Sequence, residues 1–174
     1  MTRAVLIPHP TCPPGPPEAL SVEVERQGDQ LWLRFILDGD PGRIAWPDEA
    51  APGRADELWK TTCFEAFVAG VAGYGEFNLS PSGQWASYRF DAYREGMRPA
   101  DQEAVVLGLD GGDDYMALEA RIALPADATR LGLSAVIETR DGAKTYWALA
   151  HASDKPDFHH PETFTLALPA AEPS

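Results

Sequence analysis

Residues 58 to 91 read LWKTTCFEAFVAGVAGYGEFNLSPSGQWASYRFD, and their second half carries the pattern that decides the fold. Two runs, Tyr74 to Ser80 and Gln84 to Phe90, flank Pro81, Ser82 and Gly83, residues that together mark a tight reversal. The reading is a β-hairpin. With Ser80 set opposite Trp85, the register predicts Phe77 and Leu79 on one face with Ala86, Tyr88 and Phe90, and Glu76, Asn78 and Ser80 on the other with Trp85, Ser87 and Arg89. Carboxylate, amide, guanidinium and indole groups in one row are the inventory that grips a hydroxyl-rich small molecule. An ordinary solvated sheet face gives the same row, with Glu76 and Arg89 as a cross-strand ion pair.

Outward from this hairpin the same alternation recurs. Leu20, Val22 and Val24 alternate with polar residues, Gly28-Asp29 reverses the chain, and Leu31, Leu33, Phe35 and Leu37 follow in step. Glu103 to Leu109 and Tyr115 to Leu124 bracket a Gly/Asp turn; Leu131 to Arg140 and Thr145 to His151 bracket another, and Thr163 to Leu168 closes the series. No amphipathic helix pattern intervenes. The expectation is an all-β fold, an antiparallel β-sandwich of about ten strands. Residues 1–19 hold six prolines between Pro8 and Pro17 and predict an extended N-terminal arm. Residues 20–168 then form a single ligand-binding domain and 169–174 a flexible tail. Asp38 to Asp56 is a loop long enough to border a site, and Tyr93, Arg94 and Arg98 in the irregular stretch after the hairpin are placed to overhang it.

Composition narrows the function. The chain has 174 residues, 44% hydrophobic and 24% charged, enough for one core and no second domain. Its 27 acidic and 14 basic residues give a formal charge of -13, which opposes binding to nucleic acid or anionic membranes. No signal peptide or membrane-spanning run is recognisable, so the expected location is the cytoplasm, where Cys12 and Cys63 are expected to be free thiols. A small-molecule ligand is the expected partner. Oligomeric state is not written in these patterns.

Recognisable catalytic signatures are absent: no glycine-rich phosphate loop, Gly-x-Ser-x-Gly or His-Glu-x-x-His occurs. His151, Asp157, His159 and His160, in HASDKPDFHH, supply ligand-type residues for zinc without a recognised spacing. Glu65 and Glu76, or His151, offer an acid and base for an enzyme acting on a sugar-derived metabolite. Binding without turnover is the simpler use, and no cofactor is expected.

Trp59 and Glu65 within WKTTCFE, the run Glu76 to Gly83 followed by Trp85, and the later YWALAH resemble the DOMON-like group related to family 9 carbohydrate-binding modules, over about Leu20 to Phe164. The resemblance implies a sandwich that holds a sugar ring between two tryptophans and hydrogen-bonds it with strand-borne acid and amide groups. Trp59 and Glu65 match the first stacking tryptophan and its acid, Glu76 and Asn78 the strand polar pair, and Trp147 the second tryptophan; some members carry a basic residue where Glu76 stands. An indole face suits the C–H face of a pyranose. Because Trp59 and Glu65 on one extended strand would be roughly 20 Å apart, Trp59 is expected in the turn before that strand. The site expected is therefore Trp59, Glu65, Glu76, Asn78, Trp85, Arg89, Trp147 and His151, with its carboxylates favouring a neutral or basic polyhydroxylated ligand. A second branch of this group binds haem between Met and His, for which Met97 and Met116 are the available methionines and no paired His is evident. Family 9 modules are usually attached to secreted glycosidases, and this chain, read as standing alone, is not expected to target sugar polymers.

Overall fold

The computed structural model describes residues 1–169. Thirteen strands follow in chain order: β1 (Thr2–Pro8), β2 (Ala19–Gln27), β3 (Gln30–Asp38), β4 (Gly53–Arg54), β5 (Cys63–Ala69), β6 (Tyr74–Leu79), β7 (Gln84–Phe90), β8 (Arg98–Pro99), β9 (Ala104–Gly111), β10 (Tyr115–Ala123), β11 (Arg130–Glu138), β12 (Lys144–Ala148) and β13 (Leu166–Ala167). Among the described residues the helical segments are three single 3-10 turns. The all-β expectation therefore matches the structure, while the arrangement is more continuous than an antiparallel sandwich of ten strands. One sheet runs β4-β7-β6-β5-β11-β12-β1-β2-β3-β10-β9, and β4 pairs with β7 in parallel.

β1 makes that continuity. Its residues Thr2 to Leu6 pair with β2, and Ile7 and Pro8 pair with β12, so one strand belongs to both halves of the sheet. Residues 2–8, part of the expected proline-rich arm, are thus an integral strand; the prolines begin only where β1 ends, because each removes a ladder donor. The sheet then curls until its far strands meet. β7 packs beside β9, and the connecting segment is tied to β7 by Ala100 N donating to the Ser87 carbonyl at 3.0 Å and Ser87 Oγ donating to the Gln102 carbonyl at 2.5 Å. The result is a nearly closed, barrel-like fold.

Alternation accounts for the core. Leu31, Leu33, Phe35 and Leu37 of β3 are fully buried, their neighbours only partly. Across the interior Phe35 meets Phe64 of β5 at a ring separation of 5.1 Å, joining the two halves. β5, β6 and β11 are buried on both faces. Phe64, Ala66, Val68, Phe77 and Leu79 face the main core, whereas Phe67, Tyr74, Ala86, Tyr88, Phe90 and Phe164 build a second, smaller cluster outside the sheet.

The hairpin register departs from the expectation by one residue. Leu79, not Ser80, pairs with Trp85, and Glu76 pairs with Tyr88. The loop has three residues: Gly83 N donates to the Ser80 carbonyl at 3.0 Å and Gly83 has φ +94°, the type I turn with a left-handed glycine that shifts pairing relative to a two-residue turn. A one-residue shift turns every side chain of one strand over relative to its partner. Glu76 and Asn78 consequently share their face with Ala86, Tyr88 and Phe90, while Trp85, Ser87 and Arg89 lie with Phe77 and Leu79.

Candidate functional site

Glu65, Glu76 and Asn78 lie together on the outer face of β5 and β6, where Glu65 is paired with Asn78 across the ladder. They are 4%, 5% and 0% exposed. With its amide nitrogen toward the acids, Asn78 donates to Glu65 Oε1 at 3.2 Å and to Glu76 Oε2 at 3.3 Å. Ser134, opposite Glu65 in the β5–β11 ladder, donates from Oγ to Glu65 Oε2 at 3.3 Å. Burial pushes the Glu65 carboxyl well above the usual carboxylate range, the Glu76 charge adds to this, and the Ser134 hydrogen bond opposes it. Cys63, on the same face, has its thiol pushed well above the usual range first by burial and then by the charge of Glu65, with a backbone hydrogen bond to Leu79 opposing.

His159 grips Glu76 from the far side. Its Nε2 lies 3.0 Å from Glu76 Oε1 and its Nδ1 2.8 Å from the Tyr74 hydroxyl, which accepts from Arg94 N at 3.1 Å. A proton on Nε2 satisfies all three contacts: the ring donates to Glu76 and accepts from Tyr74. The imidazole stands edge-on to Phe67 and Phe90, each at a ring separation of 5.0 Å. Packing and hydrogen bonding together fix its orientation.

Glu65, Glu76 and His159 line a cavity of about 520 Å³. Trp59, Tyr146 and Phe158 give it aromatic walls, and Lys60, Arg94 and Lys144 add cations. Trp59 stands in the 3-10 turn Leu58–Lys60 immediately before β5, as the extended-strand distance required, and meets Tyr88 edge-on at 6.1 Å. Tyr146 and Lys144 share the outer face of β12, and Tyr146 packs near Phe158 at 6.2 Å. Arg94 ion-pairs with Asp157 at 2.8 Å, and Tyr93 donates to the same carboxylate, which clasps the two loops over the site.

The structure therefore gathers Trp59, Glu65, Glu76 and Asn78 and disperses the other expected residues. Trp147 is 6% exposed in the main core, its Nε1 donating to Thr145 Oγ1 at 2.9 Å; alternation along β12 gives the outer face to Tyr146 instead. Trp85 lies against that core beneath the Arg54 guanidinium, 4.5 Å from the ring centroid. Arg89, on the Trp85 face, donates to the Ala72 carbonyl rather than pairing with Glu76. His151 Nε2 lies 2.8 Å from the Ile7 carbonyl, with its ring edge-on to His9 at 4.9 Å.

The remaining members of HASDKPDFHH likewise have separate tasks. Asp157 holds Arg94, His159 holds Glu76, and His160 caps the 3-10 turn Pro161–Thr163 by accepting from Glu162 N. Among the described residues no three His, Cys, Asp or Glu side chains converge as a metal set. Met97 does share the cavity with His159, but both imidazole nitrogens are engaged by Glu76 and Tyr74, so the pair does not fit axial haem ligation. Residues that sequence reasoning did not assign to the site are His159 as a carboxylate partner, Tyr146, Phe158, Lys60 and Lys144. For Tyr146 and Lys144 a signal existed in the alternation of KTYWA, which places Trp147 opposite to them.

Fold and cavity together define an all-β domain with a polar-floored, aromatic-walled pocket. No family model matches the chain, and no curated protein matches it. In fold it is similar to the crystal structure of a "putative carbohydrate-binding protein" from Bacteroides uniformis, with a TM-score of 0.60 over 97% of this chain and 86% of that one at 14% identity.

Proposed function

We propose that the cavity binds a sugar or sugar-like polyhydroxylated molecule. The observation that carries this reading is the trio Glu65, Glu76 and Asn78, three buried polar side chains on adjacent strands beneath an open cavity. Burying two carboxylates costs stability, and a site that offers closely spaced acceptors to vicinal hydroxyls gives that cost a use. Trp59, Tyr146 and Phe158 supply apolar faces of the kind that pyranose C–H groups pack against. The carbohydrate-binding name of the structural neighbour points the same way. On this reading the chain is a relative of the DOMON-like and family 9 carbohydrate-binding modules in which Tyr146 or Phe158 takes the second stacking position. Affinity is expected to be micromolar or weaker, since so small a ligand exchanges water hydrogen bonds for protein ones. Titration calorimetry against monosaccharides tests it: Trp59→Ala should abolish binding while the protein stays folded, and a folded wild type that binds no polyhydroxylated compound overturns the reading.

One observation favours a second reading, an enzyme that moves protons on such a ligand. The Tyr74, His159 and Glu76 chain, beside a Glu65 disposed to keep its proton, sets an acid and a base on one cavity. Anomer exchange or isomerisation of a bound sugar, followed by nuclear magnetic resonance, is the assay; no acceleration at saturating ligand removes this reading and leaves binding.

A further inference from the structure

The cavity is electrically layered. Glu65 and Glu76 form its buried floor, whereas the side chains of Lys60 and Arg94 are 63% and 52% exposed, at the solvent side. In a chain with only 14 basic against 27 acidic residues, three cations around one pocket run against the overall balance. Their partners differ. Arg94 is tied to Asp157 at 2.8 Å, and Asp157 is only 12% exposed, so that charge is neutralised in place. Lys60 meets Glu57 at 3.0 Å, but both side chains are more than half exposed, and such a pair is weak and easily exchanged. Lys144 Nζ donates to the Lys60 carbonyl at 2.7 Å and makes no ion pair among the described residues. Glu138 is its cross-strand partner on β11 but lies outside ion-pair distance of the ammonium, which rises from the same strand face as Tyr146 and is left to meet a ligand.

We propose that this site selects acidic sugars, uronates or sugar acids, over neutral and amino sugars. The inference rests on the sugar-binding reading and adds the ligand's charge and orientation. Hydroxyl groups point inward and donate to the Glu65 and Glu76 floor; the carboxylate points outward to Lys144, with Lys60 released from Glu57 to assist. The reversed pose is disfavoured because it sets the ligand's carboxylate against Glu76. A floor of carboxylates alone would favour a basic ligand; the rim reverses that preference by giving an anion a place away from the floor.

Three hexoses that differ in one substituent test the idea: glucose, glucuronate and glucosamine, titrated calorimetrically into the full chain at low and at high salt. Glucuronate should bind about tenfold more tightly than glucose at low salt, as one charge-assisted contact provides, and glucosamine no more tightly than glucose. Added salt should erode the glucuronate advantage and leave glucose binding little changed. Lys144→Gln should abolish the preference, and Lys60→Gln, with a surface side chain, should reduce it. Equal or tighter binding of glucose or glucosamine, or a preference that survives Lys144→Gln, overturns this inference and leaves the sugar site standing. No binding of any of the three overturns both.

Discussion

His159 Nε2 lies 3.0 Å from Glu76 Oε1, and through this contact the loop after β12 closes the floor that β5 and β6 begin. The two side chains are 15% and 7% exposed, so the contact helps compensate each for leaving water, beside Asn78 on Glu76 and Tyr74 on His159. In a double-mutant cycle of His159→Gln and Glu76→Gln, urea unfolding should show a favourable coupling of about 0.5 to 3 kcal/mol. Additive losses would mean that the contact contributes nothing.

The tryptophans should separate cleanly. Trp147→Ala opens a hole in the main core and should cost about 3 to 5 kcal/mol of stability. Trp59→Ala removes a 37% exposed side chain at the cavity and should cost under about 1 kcal/mol while removing ligand binding. Thermal melts of both variants, run beside a binding assay, check the contrast; similar stability losses would contradict it.

Asn78 lies fully buried beneath the cavity and bridges the two carboxyl groups of its floor. Asn78→Ala leaves two buried carboxylates without their shared donor, with an expected loss of about 1 to 3 kcal/mol. Phe77→Ala, its neighbour on the core face, should lose about 3 to 5 kcal/mol, from lost apolar burial and the cavity left behind. Urea unfolding of the two variants measures the contrast, and an Asn78→Ala loss as large as that of Phe77→Ala would contradict it.

Glu65 makes stability fall as pH rises. A carboxyl whose folded pKa is raised binds its proton more tightly in the native chain, so its contribution is greatest below the ordinary value of 4.5 and declines as pH climbs from there toward the folded value. Chemical denaturation of wild type and Glu65→Gln across this range should show wild type losing stability relative to the variant from pH 4.5 upward. Parallel curves would show that Glu65 titrates alike folded and unfolded.

His151 acts in the opposite direction. Burial lowers its pKa from 6.5, the Ile7 carbonyl partly opposes this, and nearby His9 lowers it further. The unfolded chain therefore takes up the proton first, and stability should fall as pH drops below 6.5. His151→Gln should flatten that acid limb in the same denaturation series.

Much of this molecule is legible in its sequence because local alternation is a local property. Leu31 to Leu37, Met116 to Leu124 and Tyr74 to Phe90 announce strands, and the absence of a 3.6-residue period announces the lack of helix. Glu65, Glu76 and Asn78 stand out as polar residues inside apolar strands, and once the resemblance sets Trp59 and Glu65 in one site, strand length puts Trp59 in the turn ahead of β5. The expected tail, 169–174, lies outside the described residues beyond Pro169. What needed the tertiary structure was register, partnership and closure. Whether the Pro81-Ser82-Gly83 loop counts as two residues or three turns one strand of the hairpin over, and only the Gly83 conformation and the Ser80 contacts decide it. Tyr146 rather than Trp147 faces the cavity because β12 is pinned between β1 and β11, and His159 reaches Glu76 only because the sheet brings their segments together. Alternation orders side chains along a strand; which face meets water, core or ligand is set by the strands and loops that pack against it, and those come from distant parts of the chain.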